Sequence, residues 1–98
     1  MEHKTPRHSL DEIKRLIREG RFIVTRAAFF GANMLGLSLA DILNTALALE
    51  RRDFYKSMTA YLDHRIWMDV YRAQTSAGPV YLKLTVEESA VIISFKEL

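Results

Sequence analysis

The feature that most constrains the fold is a change of hydrophobic period near the middle of the chain. In the first half, apolar residues recur every three or four positions, as in Leu10, Ile13 and Leu16, which is the spacing of one helix face. From Asp53 onward, apolar and polar residues alternate, which is the period of a strand with one buried face. The chain therefore predicts helices first and a sheet afterwards.

Capping residues set the expected bounds of three helices. Ser9 and Glu12 have the spacing of a capping box, and Gly20 is a natural stop for the helix that follows. Thr25 is expected to cap a second helix that ends near Gly36, and Ser38 a third. The first eight residues show no such pattern and are expected to form a loose tail.

Strands are predicted by alternation bounded by turn residues. A short run at Phe22–Val24 lies between the first two helices, and four longer runs follow them. The longer runs are Asp53–Ala60, Ile66–Arg72, Val80–Val86 and Ala90–Lys96. Short connections imply antiparallel pairing. We expect one α+β domain over residues 1–98, with the N-terminal helices packed on one face of an antiparallel sheet of about four main strands plus a short N-terminal strand.

Composition excludes several classes of site. Cysteine is absent, which removes disulfides, thiol catalysis and zinc–thiolate sites. His3, His8 and His64 have no ligand spacing, so neither a metal site nor a cofactor is expected. The net charge of +2 permits an anionic partner without requiring one. Polar residues interrupt the apolar stretch 27–49, so a soluble protein is expected rather than a membrane-spanning one.

The last two predicted strands assign their side chains to faces. If they meet at a two-residue loop, 88–89, then Lys83 lies opposite Ser94 and Tyr81 opposite Lys96. Both pairs then point away from the core. The residues expected on the buried face are Leu82, Leu84, Val91, Ile93 and Phe95.

The two preceding strands leave their faces open. Hydrophobicity favours burial of the face that carries Lys56 and Met68, but a buried Lys56 would need a partner. The alternative packs Tyr55, Trp67 and Tyr71 beneath the helices, since aromatic rings with polar ends suit such a boundary. The pattern does not decide between these choices.

The second choice would gather cations on one sheet face with no acidic residue between them. That face would carry Lys56, Arg72, Tyr81, Lys83 and Lys96. Such a surface suits a phosphodiester, because cations hold phosphates and a phenol donates a hydrogen bond or stacks on a base. A solvated sheet face with no ligand is the alternative interpretation.

Blocks distributed over the whole chain resemble the MqsR toxin family. In the first half they are Thr5-Pro6, Thr25-Arg26 and Leu35–Leu37; in the second, Asp53–Thr59, Asp63-His64, Ile66-Trp67, Asp69–Arg72, Val80–Lys83, Thr85-Val86 and Ser94–Glu97. The resemblance implies a RelE-like toxin fold and a cytoplasmic type II toxin. It implies an mRNA interferase that needs neither ribosome nor metal and, in the best-known case, prefers GCU. It also implies a zinc-containing antitoxin of the MqsA type, through which alone DNA would be contacted.

The resemblance also assigns site residues. A family lysine falls on Lys56, a family tyrosine on Tyr81 and a C-terminal lysine on Lys96, which we therefore expect to be catalytic. The family glutamine falls on Met68, whose thioether lacks the donors and acceptor of an amide. Either this chain does without that positioning group, or Gln74 or another side chain substitutes for it. These positions favour the second choice of faces.

The expected roles follow from the chemistry of RNA cleavage. Attack of a ribose 2′-OH needs a proton acceptor and a proton donor. Lys56 is the candidate acceptor, because neighbouring cations would lower its pKa, or an electrostatic clamp if it stays protonated; Tyr81 is the candidate donor. Arg72 and Lys83 are expected to hold phosphates, and Tyr55 to stack a base if it is not buried. Two other classes stay open: a binding module for RNA or the antitoxin, with weakened catalysis, and an interaction protein that pairs through a strand edge.

Overall fold

The computed structural model describes residues 2–98, and three α-helices occupy the first half of the chain. They are α1, Leu10–Arg18; α2, Arg26–Met34; and α3, Leu39–Leu47. None of these helices is by itself long and apolar enough to cross a membrane; α2 and α3 would qualify only as a pair bent by 100°.

The expected caps are confirmed at all three helices. The side chains of Ser9, Thr25 and Ser38 each accept a hydrogen bond from the backbone N–H three residues ahead. At α1 the predicted capping box is only half formed, because the Glu12 carboxylate binds Arg15 instead of the cap backbone. Gly20 follows α1 with φ +77°, a conformation that glycine adopts without strain.

All strands join one sheet. They are β1, Glu2–His3; β2, Phe22–Val24; β3, Phe54–Thr59; β4, Trp67–Thr75; β5, Gly78–Val86; and β6, Ala90–Glu97. The order across the sheet is β1-β3-β4-β5-β6-β2, with β3 to β6 antiparallel and β2 parallel to β6. The α+β class is confirmed, although the sheet has six strands rather than the expected four main strands and one short strand.

The helices cover one face of this sheet and form the core with it. Ile42 of α3 and Tyr71, Leu82 and Phe95 of the sheet are fully buried. Gly31 marks a close approach of α2 to β6, since a Cβ atom there would clash with the Phe95 carbonyl oxygen. The opposite sheet face is left without a helical cover.

The expectation of a loose N-terminal tail is wrong. Glu2 and His3 pair with Met58 and Ser57 as an edge strand. The backbone N–H groups of Arg7 and His8 both donate to the fully buried Asp69 carboxylate, at 2.9–3.2 Å. A buried carboxylate needs hydrogen-bond donors, and the backbone of the N-terminal segment supplies them. Arg7 and His8 are therefore fixed by Asp69, although their sequence shows no helical or strand periodicity.

A β-bulge at Tyr55 decides the faces of β3. Phe54 pairs with Tyr71 but Lys56 pairs with Val70, so Tyr55 is an extra residue in β3. Phe54 therefore packs edge-on against Tyr71 on the helix side, at 5.6 Å between ring centroids. The second choice of faces is right for Lys56 and Tyr71 but wrong for Tyr55, which lies on the uncovered face.

A second bulge, at Ile93, compensates for an unexpected loop length. Val86 pairs with Ala90, so the loop holds residues 87–89 rather than two residues. Ala90 and Ile92 are consequently buried, and the expectation that Val91 and Ile93 would be buried is wrong.

Beyond that bulge the register returns to the one expected. Lys83 then lies opposite Ser94, and Tyr81 opposite Lys96, as predicted.

Candidate functional site

Two rows of side chains cross the uncovered sheet face. Successive pairing places Lys56, Val70, Lys83 and Ser94 in one row across β3, β4, β5 and β6. The same register sets Arg72, Tyr81 and Lys96 in the next row. Neighbouring strands lie about 4.8 Å apart, so residues far apart in sequence become neighbours on this face.

A pocket of about 320 Å³ opens between these rows. Its lining residues are Tyr55, Lys56, Met58, Val70, Tyr81, Lys83, Ser94 and Lys96. Five of the six residues that the sequence nominated therefore line one pocket, and the sixth, Arg72, borders it. Met58 and Val70 form an apolar part of the lining that the sequence reasoning did not assign to the site, since isolated apolar residues on a strand carry no signal of a ligand.

Arg72 joins two tyrosine rings beside the pocket. Its guanidinium carbon lies 3.9 Å from the Tyr55 ring centroid and 5.8 Å from that of Tyr81. The two rings are themselves 5.8 Å apart. A cation against a ring face is attracted by the ring quadrupole, so this cluster gives the pocket a flat aromatic wall with a positive charge beside it.

An acidic residue that the sequence reasoning missed also reaches this face. The Lys56 Nζ donates to the Glu2 Oε2 at 2.7 Å, and the Lys56 side chain is 22% exposed. This hydrogen bond raises the pKa of Lys56, with the Glu2 charge adding to it. The expected lowering of the Lys56 pKa by neighbouring cations is therefore wrong. No local sequence pattern predicts this contact, because it joins residues 54 positions apart.

The lysine with the lowered pKa is Lys83. Burial is the largest cause of that lowering, and the positive charges of Lys96 and Lys56 add to it. A half-buried ammonium surrounded by cations loses its proton more readily than a free lysine does. Lys56 and Lys83 lie in the same row with β4 between them, yet their pKa values are shifted in opposite directions.

Met68 lies at the far end of the face from the Tyr81 row. It pairs with Met58 of β3, is 8% exposed and does not line the pocket. Gln74 is exposed near the β4–β5 turn, opposite Pro79, and does not line the pocket either. Gln74 is therefore no substitute for an amide at position 68.

The histidines lie away from this pocket. His8 is held beside Trp67, with its Nε2 atom 3.0 Å from the Trp67 carbonyl oxygen, and His64 is exposed in a loop. Within residues 2–98, no three histidine, cysteine, aspartate or glutamate side chains converge as metal ligands would. The charged side chains that line the pocket are all lysines, and Glu2 binds one of them, Lys56.

Comparison with known proteins identifies the family. A family model described as motility quorum-sensing regulator, toxin of MqsA, matches residues 5–97. The chain belongs to the MqsR toxin family. A relative within it, the mRNA interferase toxin MqsR of Escherichia coli strain K12, is 46% identical over 97 residues, which is 99% of each chain. The MqsR family match includes every residue that lines the pocket, whereas Glu2 lies before its first matched residue.

Proposed function

We propose that this chain is the toxin of a toxin–antitoxin pair and cleaves single-stranded mRNA in the pocket between the two rows. The E. coli relative is named an mRNA interferase toxin, and the family is described as the toxin of MqsA. The observation that carries the proposal is the convergence of Lys56, Lys83, Lys96 and Tyr81 on one pocket. Cations beside a phenol suit a phosphodiester that gains negative charge during cleavage.

The proposed reaction is attack of a ribose 2′-OH on the adjacent phosphorus. A bond forms from O2′ to phosphorus, the bond from phosphorus to O5′ breaks, and a 2′,3′-cyclic phosphate and a free 5′-OH result. The 2′-OH proton passes to a base, and O5′ receives a proton from an acid. Lys56, Lys96 and Arg72 would stabilise the phosphate charge, and no metal ion is needed in this scheme.

Lys83 and Tyr81 are the proposed base and acid. They are two residues apart on β5 and point to the same face, which separates their Cα atoms by about 7 Å. That spacing suits groups on opposite sides of one phosphate. The lowered pKa of Lys83 makes its deprotonation easier than that of an ordinary lysine. The raised pKa of Lys56 supports the clamp role rather than the role of base, the two roles expected for it from the sequence.

The proposal is tested by Tyr81→Phe and Lys56→Ala in a metal-free assay with EDTA. Each is expected to lower the cleavage rate at least about a hundredfold, the usual contribution of a positioned acid or charge. Tyr61→Phe and Lys14→Ala are matched controls, because Tyr61 is 91% exposed in a loop and Lys14 lies on α1. Wild-type rates in both site variants would contradict the proposal.

The products and cut sites test the chemistry further. Mapping of cut sites on a defined transcript is expected to show GCU-like sites with 2′,3′-cyclic phosphate ends. Intact RNA that nevertheless binds would favour the second candidate function, a binding module. The observation that favours this alternative is the thioether of Met68 where the family has an amide.

We also propose the partner and the compartment. Residues 1–98 would act as one domain in the cytoplasm and be neutralised by a zinc-containing antitoxin of the MqsA type, with DNA contacted only through that antitoxin. Coexpression with such an antitoxin is expected to relieve growth arrest. Arrest that persists despite complex formation would contradict the proposed pairing.

A further inference from the structure

The N-terminal segment, residues 2–8, lies along the edge of the sheet next to the pocket and contacts one of its lining residues, Lys56. Strand β1 pairs with the edge of β3 that does not pair with β4, and this places Glu2 opposite Met58. Met58 and Lys56 are two residues apart and share the uncovered face, so the Glu2 side chain reaches Lys56 diagonally. The segment adds the carboxylate that β3 to β6 do not carry on this face.

Three anchors fix this segment, which we call the N-terminal strap. The Asp69 carboxylate accepts from the backbone of Arg7 and His8 and from the Ser57 hydroxyl. The Arg7 guanidinium carbon lies 4.1 Å from the Trp67 ring centroid.

At the other end of the strap, the His3 ring packs edge-on against Trp67 at 4.9 Å, next to the β1–β3 ladder. Fixed at both ends, the strap presents Glu2 at a defined place.

The Glu2 contact restricts what Lys56 does. A lysine has a flexible four-carbon stem, and a free ammonium beside other cations would turn away from them. The titratable groups near Lys56 are Glu2 on β1, Tyr55 on β3, and Tyr81 and Lys83 on β5. Glu2 carries the negative charge in this set and binds Lys56 at 2.7 Å, so it sets where the ammonium lies.

We propose that Glu2 is a positioning residue of the cleavage site, which holds the Lys56 ammonium at the pocket wall where it meets the substrate phosphate. This rests on the proposed function, since it assumes that Lys56 stabilises phosphate charge. Glu2 acts through Lys56 and does not touch the RNA. Held in this way, Lys56 is already in place when the substrate arrives, which lowers the cost of organising the transition state.

The experiment is a steady-state assay of the full chain on a labelled RNA oligonucleotide that contains one GCU. Glu2→Gln keeps the side-chain size and removes the charge. It is expected to lower kcat about ten- to a hundredfold with little change in KM. A displacement of a catalytic group by about 1 Å lowers the rate roughly a hundredfold. Glu2→Asp is expected to recover part of kcat. Glu12→Gln is the matched control, since Glu12 forms an exposed ion pair with Arg15 on α1.

A second readout separates positioning from a general loss of structure. In ¹³Cε-lysine NMR titrations, the Lys56 resonance of Glu2→Gln is expected to titrate at lower pH than in the wild type, with the unfolding midpoint preserved. Wild-type kcat in Glu2→Gln would overturn the inference. So would a lower KM with a higher kcat, which would mean that Glu2 competes with phosphate.

Lys56→Ala in the same assay distinguishes the two proposals. An inactive Lys56→Ala beside a fully active Glu2→Gln would remove only the role of Glu2. A fully active Lys56→Ala would remove the proposed function at this residue and the positioning role with it.

Discussion

The rings of Tyr55 and Tyr81 lie side by side on the uncovered sheet face, with 5.8 Å between their centroids and 33° between their planes. They meet because the bulge in β3 turns Tyr55 away from the helices. Arg72 lies against both rings and fixes the pair. In the proposed reaction Tyr81 would donate a proton, and Tyr55 would offer a surface on which a base can stack.

Tyr55→Ala is expected to weaken binding of single-stranded RNA by about 1–3 kcal/mol, the usual contribution of one stacked base. Tyr55→Phe keeps the ring and is expected to bind as the wild type does. Fluorescence anisotropy with a 2′-O-methyl RNA, which cannot be cleaved, measures this. Tyr61→Ala in the exposed loop is the control. Equal affinity of Tyr55→Ala and wild type would exclude stacking at this residue.

Lys83 is expected to set the rising limb of the pH profile. As proton acceptor it must be neutral, so kcat should rise with pH and level off below pH 10.5, the ordinary lysine pKa, because burial, Lys96 and Lys56 lower its pKa. The folded pKa lies below the unfolded one, so stability should also rise with pH across that interval.

Lys83→Arg separates the role of a base from that of a cation. An arginine side chain stays charged, so this variant should keep KM and lose kcat about a hundredfold or more. Lys96→Arg is the control, because a charge-stabilising role survives that change. A Lys83→Arg enzyme with wild-type kcat and the same rising limb would assign the base elsewhere.

Met68→Gln is expected to raise the cleavage rate several-fold and to sharpen the choice of cut site. The amide would add two donors and an acceptor beside Met58 at the edge of the pocket. It should also lower the free energy of unfolding by about 1 kcal/mol, since position 68 is 8% exposed. Cut-site mapping and urea unfolding measure these effects. Met34→Gln, at a residue 73% exposed, is the control. An unchanged rate and pattern would show that this site does not use an amide there.

Tyr71→Phe is expected to stabilise the protein by about 1 kcal/mol without changing activity. The Tyr71 hydroxyl is buried and has no hydrogen-bond partner among residues 2–98, and burial raises the pKa of Tyr71 to about 12. Removal of an unpaired buried hydroxyl removes a desolvation cost. Urea unfolding measures the change, and the cleavage assay shows the contrast with Tyr81→Phe. A loss of 1 kcal/mol or more would mean that the hydroxyl is bonded.

The local structure could be predicted from patterns within short segments of the sequence. The caps at Ser9, Thr25 and Ser38, the stop at Gly20 and the change from helical to alternating period each depend on residues a few positions apart. Such short-range rules are readable because capping hydrogen bonds and strand alternation form within one segment. The resemblance then added Lys56, Tyr81 and Lys96, which the structure brings to one pocket.

Which side chains meet depends on strand register and bulges, which appear only in the folded sheet. A bulge reverses the faces of the residues on one side of it. The bulge at Tyr55 placed Tyr55 in the site, and the bulge at Ile93, with the three-residue loop, placed Ile92 in the core. The parallel pairing of β2 with β6 and the Glu2 contact to Lys56 join segments more than 50 residues apart. No local pattern encodes these contacts, because the burial and strand pairing that stabilise them exist only once the sheet has formed and the N-terminal strap has bound Asp69.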